Sequence, residues 1–185
     1  MIDLPFPLRG STLVLGPSQS GKTKLTAAAL ETWVERNGGE GLVVFEFAPE
    51  VERDGIILGG RLDRFTMIPD GAWYGRLDAH APRAEGESVE ESVALARENA
   101  RNARGIVDSA PDPWAVFVND ATIPLQHESF PPERLTTYCG QAETVVMNAF
   151  KSDELGTVDP VSRQERSALK VLESWADRTV SLDVS

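Results

Sequence analysis

The sequence contains a single cysteine, Cys139, and no long apolar run. One thiol cannot form an intramolecular disulfide or a zinc site built from cysteines, so a reducing, cytoplasmic environment is the expectation. The apolar runs are shorter than the roughly 18 residues that a membrane-spanning helix needs. The first residues, MIDLPFPLRG, also lack the charged-then-apolar layout of a secretion signal. We therefore expect a soluble protein with no membrane partner.

Positive charge is also scarce, since 18 Lys and Arg against 29 Asp and Glu give a net charge of -11. Such a surface gives no special support to nucleic acid as a partner. Three arginines at helical spacing are interpreted as a solvated helix face, with an acidic partner or nucleic acid as the alternative. They are Arg97, Arg101 and Arg104. The length of 185 residues fits one globular domain, residues 1–185.

Short apolar runs alternate with amphipathic helical stretches along the chain. The runs predict buried strands at 11–16, 42–47, 64–68, 114–118, 143–147 and 179–182. Helical spacing and end signals predict helices at 21–37, from the cap Ser88 onward, and at 161–177 after the cap Asp159. The segment 69–86 is rich in Pro, Gly and Asp and is interpreted as a surface excursion. This alternation predicts an α/β fold with a mostly parallel sheet, whose ligands bind beyond the carboxyl ends of the strands.

Residues 16–23 read GPSQSGKT and match the pattern G-x-x-x-x-G-K-[ST] between a predicted strand and a predicted helix. Glycines let backbone N–H groups turn inward, and the helix N-terminus adds partial positive charge, so the loop suits the phosphates of a nucleotide. Lys22 is expected to reach the β- and γ-phosphates, and the Thr23 hydroxyl to bind Mg²⁺. The alternative is a tight glycine turn with an exposed lysine. The residues expected to contact the nucleotide are Gly16, Pro17, Ser18, Gln19, Ser20, Gly21, Lys22, Thr23 and Lys24.

A second group is needed to hold the Mg²⁺, and the predicted strand 114–118 ends in two candidates. A carboxylate serves Mg²⁺ better than an amide, so Asp120 is predicted to hold the metal and to take part in catalysis. Asn119 follows the apolar run more directly, and if Asn119 faces the site, the metal is bound more weakly. A plain turn residue is the remaining interpretation of Asp120.

Two further polar residues lie near the ends of predicted strands. Glu46 is a charge in an otherwise apolar run, which suits either a group that activates water or a structural partner, with Glu50 as its substitute. Asn148, at the tip of the fifth predicted strand, is expected to sense the γ-phosphate or to be a simple strand-end residue. The predicted catalytic set is Lys22, Glu46, Asp120 and Asn148.

With these motifs identified, residues 8–23, 41–50 and 114–120 resemble the RecA and KaiC branch of P-loop ATPases. The resemblance implies a three-layer α/β/α P-loop NTPase fold with a RecA-like central sheet, in which the fifth strand lies between the loop strand and the Asp120 strand. It also implies that Glu46 activates water. The family usually carries a doubled acidic pair there, whereas Phe47 follows Glu46 in this chain. A weaker resemblance is to small kinases of the adenosylcobinamide type, although no matching histidine motif follows the second strand.

Three functions are consistent with these features. The first is a Mg²⁺-dependent ATPase that couples hydrolysis to a protein partner or to a homo-oligomer. The second is a small-molecule kinase that uses ATP or GTP, with 69–86 and 123–137 as substrate lids. The third is a nucleotide-binding regulator without hydrolysis, which Asn119 at the metal would favour. The cofactors expected are a nucleoside triphosphate, ATP first and GTP second, and Mg²⁺.

Overall fold

The computed structural model describes residues 3–58 and 60–184. Within them, six parallel strands form the central sheet: β1 (Gly10–Gly16), β2 (Leu42–Glu46), β5 (Trp73–Arg76), β6 (Ala115–Asn119), β7 (Thr144–Phe150) and β8 (Arg178–Ser181). A small antiparallel pair joins β3 (Val51–Arg53) to β4 (Ile56–Leu58). The α-helices are α1 (Lys22–Asn37), α2 (Pro82–Glu85), α3 (Val89–Ser109), α4 (Pro132–Cys139) and α5 (Pro160–Trp175). Two 3₁₀ helices cover Leu62–Arg64 and Ile123–Gln126.

The strand order across the sheet is β5-β2-β6-β7-β1-β8. Every neighbouring pair is parallel. The four inner strands are almost entirely buried, as expected for a parallel sheet covered on both faces. Strand β7 lies between β1 and β6, which is the RecA-like order that the family resemblance implied. The carboxyl ends of these three strands therefore lie side by side at the same end of the sheet.

Alternate residues of each strand point to opposite faces of the sheet, and the two faces pack against different helices. On one face, Val44 and Phe117 belong to a cluster with Trp33 of α1. On the other face, Phe45 and Val118 belong to a cluster with apolar residues of α3, α4 and α5. The helices thus form a layer on each side of the sheet. The face to which a strand-end residue belongs decides which helix it meets.

The predicted strand at 64–68 is wrong. Residues Leu62–Arg64 form a 3₁₀ helix, and the strand lies instead at Trp73–Arg76, within the segment that the sequence suggested to be a surface excursion. This strand has four residues and forms an edge of the sheet, so its apolar pattern is short and weak. Gly75 lies against α3, where an added Cβ would come within 2.5 Å of Ile106 Cγ2.

The segment 123–137, which the kinase hypothesis treats as a lid, packs into the apolar core. Leu125, Phe130 and Leu135 from this segment are all fully buried. The two predicted helix caps are confirmed. The Ser88 hydroxyl accepts a hydrogen bond from Glu91 N, and the Asp159 carboxylate accepts one from Ser162 N.

Candidate functional site

The loop between β1 and α1 has a tight backbone that requires glycine at two positions. At Gly16, a Cβ atom would lie 2.5 Å from Ser20 Oγ and 2.7 Å from the Leu182 carbonyl oxygen, closer than packing allows. Gly21, directly before α1, has a φ of 92° in the left-handed region. The predicted order of strand, loop and helix is therefore confirmed, and the loop brings the N-terminus of α1 beside the end of β1.

Lys22 folds back over this loop. Its Nζ atom donates a hydrogen bond of 2.5 Å to the Pro17 carbonyl oxygen, which also accepts one of 2.9 Å from Ser20 Oγ. Burial lowers the pKa of Lys22, and the negative charges of Asp120 and Glu154 oppose that shift. The ammonium group is thus held above the loop, where it can reach an anion bound there.

A carboxylate from a distant part of the chain contacts the same loop. Glu154, in the connection between β7 and α5, accepts a hydrogen bond of 2.7 Å from the backbone N–H of Ser18. The connection is held close to the loop because Lys151 N donates to the Gly16 carbonyl oxygen at 2.9 Å. The oxygens of Glu154 stand in for an anion at a backbone N–H of the loop, which indicates that this position accepts negative charge.

The pleat of β6 settles which of its two terminal polar residues faces α1. Phe117 points to the α1 face, and Asn119, two residues later, points the same way. The Thr23 hydroxyl at the start of α1 donates a hydrogen bond of 3.3 Å to Asn119 Oδ1. The structure therefore places Asn119, and not the predicted Asp120, against the hydroxyl that was expected to bind Mg²⁺.

Glu46 is the register partner of Asn119 on the neighbouring strand β2 and is fully buried. Its Oε1 atom accepts hydrogen bonds from Asn119 Nδ2 at 2.8 Å and from Ala48 N at 3.1 Å, and its Oε2 atom accepts one from Leu62 N at 2.7 Å. Burial raises the pKa of Glu46 to about 7, against these hydrogen bonds, and the charge of Asp120 adds to the rise. With both oxygens occupied, Glu46 is better suited to hold its neighbours than to activate water.

Asn148 of β7 lies behind Asn119 in the same buried network. Its Nδ2 atom donates to Asn119 Oδ1 and to Thr26 Oγ1, each at 2.8 Å, and its Oδ1 atom accepts from Asp120 N at 2.9 Å. Only 1% of its surface is exposed. This geometry ties the ends of β6 and β7 to α1, and it leaves the amide hydrogens of Asn148 engaged within the protein.

Asp120 leaves the strand in a left-handed conformation, with a φ of 59°, and is half-buried. Within the part of the chain that the structure describes, its carboxylate accepts no hydrogen bond. Burial raises the pKa of Asp120 to about 7, and the charge of Glu165 adds to this, while Lys22 and Arg83 oppose it. Asp120 therefore offers a free carboxylate with an affinity for protons near neutral pH, close to the charge of Lys22.

A buried polar group behind Asp120 was not found from the sequence. Arg83 of α2 forms an ion pair of 2.8 Å with Glu165 of α5, and Gln126 donates a hydrogen bond of 2.6 Å to the other oxygen of that carboxylate. Arg83 also lies over the ring of Phe150, 5.5 Å from its centroid. The available signal was Glu165 itself, a charge at a buried position of an otherwise apolar helix face.

Two other candidates are engaged at the surface. Glu50, the substitute for Glu46, pairs with Arg64 at 2.5 Å and lies 3.7 Å from Arg61. Lys24, predicted to contact the nucleotide, is exposed, and its Nζ atom lies 5.9 Å from the ring centroid of Phe65.

The donor atoms at the end of β6 fit a magnesium ion that is bound together with a nucleotide. In the described residues, no group of three or more His, Cys, Asp or Glu side chains could hold a metal without further ligands. Thr23 and Asn119 instead present two neutral oxygens beside the loop. Mg²⁺ keeps several waters and takes few protein ligands when phosphates supply the rest, so these two oxygens suit it.

The sheet order and the strand, loop and helix unit define the class of fold. It is an α/β protein with the three-layer fold of P-loop nucleoside triphosphatases and a RecA-like parallel sheet, as predicted. No protein-family model and no curated protein matches the chain. Within residues 3–58 and 60–184, no helix combines the length and the apolar character needed to cross a bilayer.

Among solved structures, the crystal structure of Pif1 helicase from Candida albicans is similar to this chain, with 10% sequence identity and a TM-score of 0.35. The match covers 94% of this chain and 36% of the helicase chain. The chain thus spans little more than a third of the length of that protein.

Proposed function

We propose that this protein binds ATP with Mg²⁺ at residues 16–23 and hydrolyses it, coupling the hydrolysis to a protein partner or to a homo-oligomer. The observation that carries the proposal is the contact between Thr23 Oγ1, at the start of α1, and Asn119 Oδ1, at the end of β6. A glycine turn without a ligand has no need of a polar strand end beside the helix hydroxyl. A nucleotide site needs both, next to the loop.

In this proposal, the backbone of the loop and the N-terminus of α1 hold the phosphates, and Lys22 leaves the Pro17 carbonyl to contact their outer oxygens. Thr23 and Asn119 would hold Mg²⁺, which neutralises charge on the β- and γ-phosphates when it is bound. Asp120 orients the attacking water and accepts its proton, because its carboxylate is free and sits close to Lys22. Glu46 holds Asn119 in place by a hydrogen bond, and Asn148 holds both Asn119 and the backbone of Asp120.

A slow basal rate is part of the proposal. The metal position has an amide where a carboxylate would bind more strongly, and Glu46 is engaged in three hydrogen bonds. A partner or a second copy of the chain would then raise turnover by completing the site, as regulatory proteins do for other P-loop enzymes.

The first experiment measures ATP binding and phosphate release by the wild type and by Lys22→Ala, with Lys170→Ala as the matched control. Lys22→Ala should weaken ATP binding by at least about ten-fold, because a charge-assisted contact to phosphate is lost. Lys170→Ala removes an exposed charge from α5 and should change binding by less than about three-fold. Equal affinities of all three proteins would contradict the proposal.

The same preparation separates the two alternative functions. A kinase would transfer radiolabel from the γ-phosphate of ATP or GTP to an added metabolite instead of releasing it as phosphate. A regulator without hydrolysis, which the position of Asn119 beside Thr23 favours, would bind ATP and Mg²⁺ tightly and release no phosphate at any protein concentration. Stimulation of phosphate release with increasing protein concentration would support the ATPase that works as an assembly.

A further inference from the structure

Asn119 has every hydrogen-bonding position of its side-chain amide occupied. The Nδ2 atom donates to Glu46 Oε1 and to the Gly60 carbonyl oxygen, each at 2.8 Å. The Oδ1 atom accepts from Asn148 Nδ2 at 2.8 Å and from Thr23 Oγ1 at 3.3 Å. Because a carbonyl oxygen can only accept, the nitrogen must face Gly60, and the orientation of the amide is fixed. Its oxygen therefore points at the Thr23 hydroxyl and its nitrogen at Glu46. The contact with Thr23, at 3.3 Å the longest of the four, is the one that would give way to a bound ion.

Glu46 is the carboxylate in contact with this amide. It is the register partner of Asn119 and fully buried, and the rest of its acceptor capacity is filled by the N–H groups of Ala48 and Leu62. A hydrogen bond to a carboxylate polarises an amide, so the oxygen on the far side gains negative character. Inside a protein, the charge of the carboxylate itself also acts across Asn119, which is hydrogen-bonded to both Glu46 and Thr23.

We propose that Glu46 supplies the negative charge of the magnesium position through Asn119, so that the pair replaces a carboxylate at the end of β6. Glu46 is then a positioning residue that acts through another side chain. The charged group therefore lies on β2, whereas the oxygen proposed to bind the ion lies on the neighbouring strand β6. This inference rests on the proposed nucleotide function, because the ion is bound together with the phosphates.

The test measures how ATP affinity depends on the concentration of Mg²⁺, by titration of ATP into the protein at fixed Mg²⁺ and in EDTA. Glu46→Gln keeps the shape of the side chain and removes its charge. It should raise the Mg²⁺ concentration for half-maximal enhancement of ATP binding by about ten-fold or more, since a divalent ion loses a nearby unit charge. ATP affinity in EDTA should stay within about two-fold of the wild type, because the phosphate contacts are untouched.

Glu50→Gln is the matched control. It removes the same charge four residues further along the chain, from a carboxylate that pairs with Arg64 at the surface. Its Mg²⁺ dependence should equal that of the wild type. A cooperative unfolding transition would show that Glu46→Gln is folded. If the folded variant has the same Mg²⁺ dependence as the wild type, Glu46 is only a structural acceptor for the backbone and the proposal is overturned.

A second variant covers the case in which Glu46→Gln does not fold. Asn119→Asp puts a carboxylate directly beside Thr23 while Glu46 remains. It should lower the thermal stability without ligand, because two donated hydrogen bonds are lost and like charges meet. It should also lower the Mg²⁺ concentration needed for ATP binding and give a larger thermal shift with Mn²⁺ and ATP. If this variant needs a higher Mg²⁺ concentration than the wild type, the end of β6 does not lie at the ion and the proposal is overturned.

The outcomes separate this inference from the proposed function. Wild-type protein that binds ATP with a Mg²⁺ dependence that neither variant changes would leave the nucleotide function standing and remove the role of Glu46. Wild-type protein that binds no ATP, with or without Mg²⁺, would overturn both.

Discussion

Glu154 Oε1 accepts a hydrogen bond of 2.7 Å from the backbone N–H of Ser18, although 136 positions of the chain separate the two residues. This N–H belongs to the loop predicted to hold phosphate. A phosphate at that position must displace the carboxylate, because two anions cannot share one donor. We therefore expect this contact to oppose the proposed binding of a nucleotide.

Replacement of Glu154 by Gln should tighten ATP binding by about two- to ten-fold, since the competing negative charge beside Lys22 is removed. The gain should shrink as salt is added, because the side chain is exposed. Titration of ATP at low and high ionic strength measures both effects. Asp153→Asn is the control, since Asp153 pairs with Arg166 instead of the loop. A weaker affinity in Glu154→Gln than in this control would show that Glu154 assists binding.

Replacement of Asp120 by Asn should lower kcat for ATP hydrolysis by about 10²- to 10⁴-fold, because the proton acceptor is lost. ATP affinity should change little, since the proposed phosphate contacts come from the loop and from Lys22 and not from this carboxylate. Single-turnover phosphate release and equilibrium binding separate the two quantities. Asp112→Asn, just before the other end of β6, should leave both unchanged. Wild-type turnover in Asp120→Asn would assign the chemistry to another group.

The buried carboxyl group of Glu46 predicts a pH-dependent stability without ligand. Burial raises the pKa of Glu46 from 4.5 to about 7 in the folded protein, so the folded state binds more protons than the unfolded state between these values. The free energy of unfolding should therefore fall as the pH rises from 4.5 to 7, by about 3 kcal/mol from this one group.

Urea unfolding at a series of pH values in EDTA measures this slope. Glu46→Gln should flatten it, whatever its absolute stability. The contribution of Glu50 to the pH dependence has the opposite sign, because its hydrogen bond with Arg64 lowers its pKa. Glu50 stabilises the folded state when it is ionised, and this stabilisation is lost on acidification. Glu50→Gln should therefore remove that part of the pH dependence. An equal slope in Glu46→Gln and in the wild type would mean that another group carries the effect.

Phe130 tests whether the segment 123–137 is core or lid. Its ring is fully buried, so Phe130→Ala should lower the free energy of unfolding by about 3 to 5 kcal/mol through loss of apolar contacts and formation of a cavity. Glu128→Ala, in the same segment but exposed, should change it by less than about 0.5 kcal/mol. Chemical denaturation provides the measurement. A stable Phe130→Ala variant with a raised KM for a second substrate would instead favour a lid.

The sequence was most informative where local signals agree. Residues 16–23 combine a glycine pattern with a strand before it and a helix after it, and the turn that results needs only local geometry. The caps at Ser88 and Asp159 were likewise readable, because a cap bonds to residues within its own first turn. The strand at Trp73–Arg76 was missed, since an edge strand of four residues has too short an apolar pattern to be distinguished from a loop.

The sequence by itself determined the parallel α/β fold and the strand, loop and helix unit around residues 16–23, because both follow from the periodicity and residue types of neighbouring positions. The choice between Asn119 and Asp120 needed the tertiary structure. Adjacent residues of a strand point to opposite faces, and the face that α1 covers is decided by packing across the whole sheet. The contacts of Asn119 with Glu46, Thr23 and Asn148 join four separate elements, so no local pattern contains them.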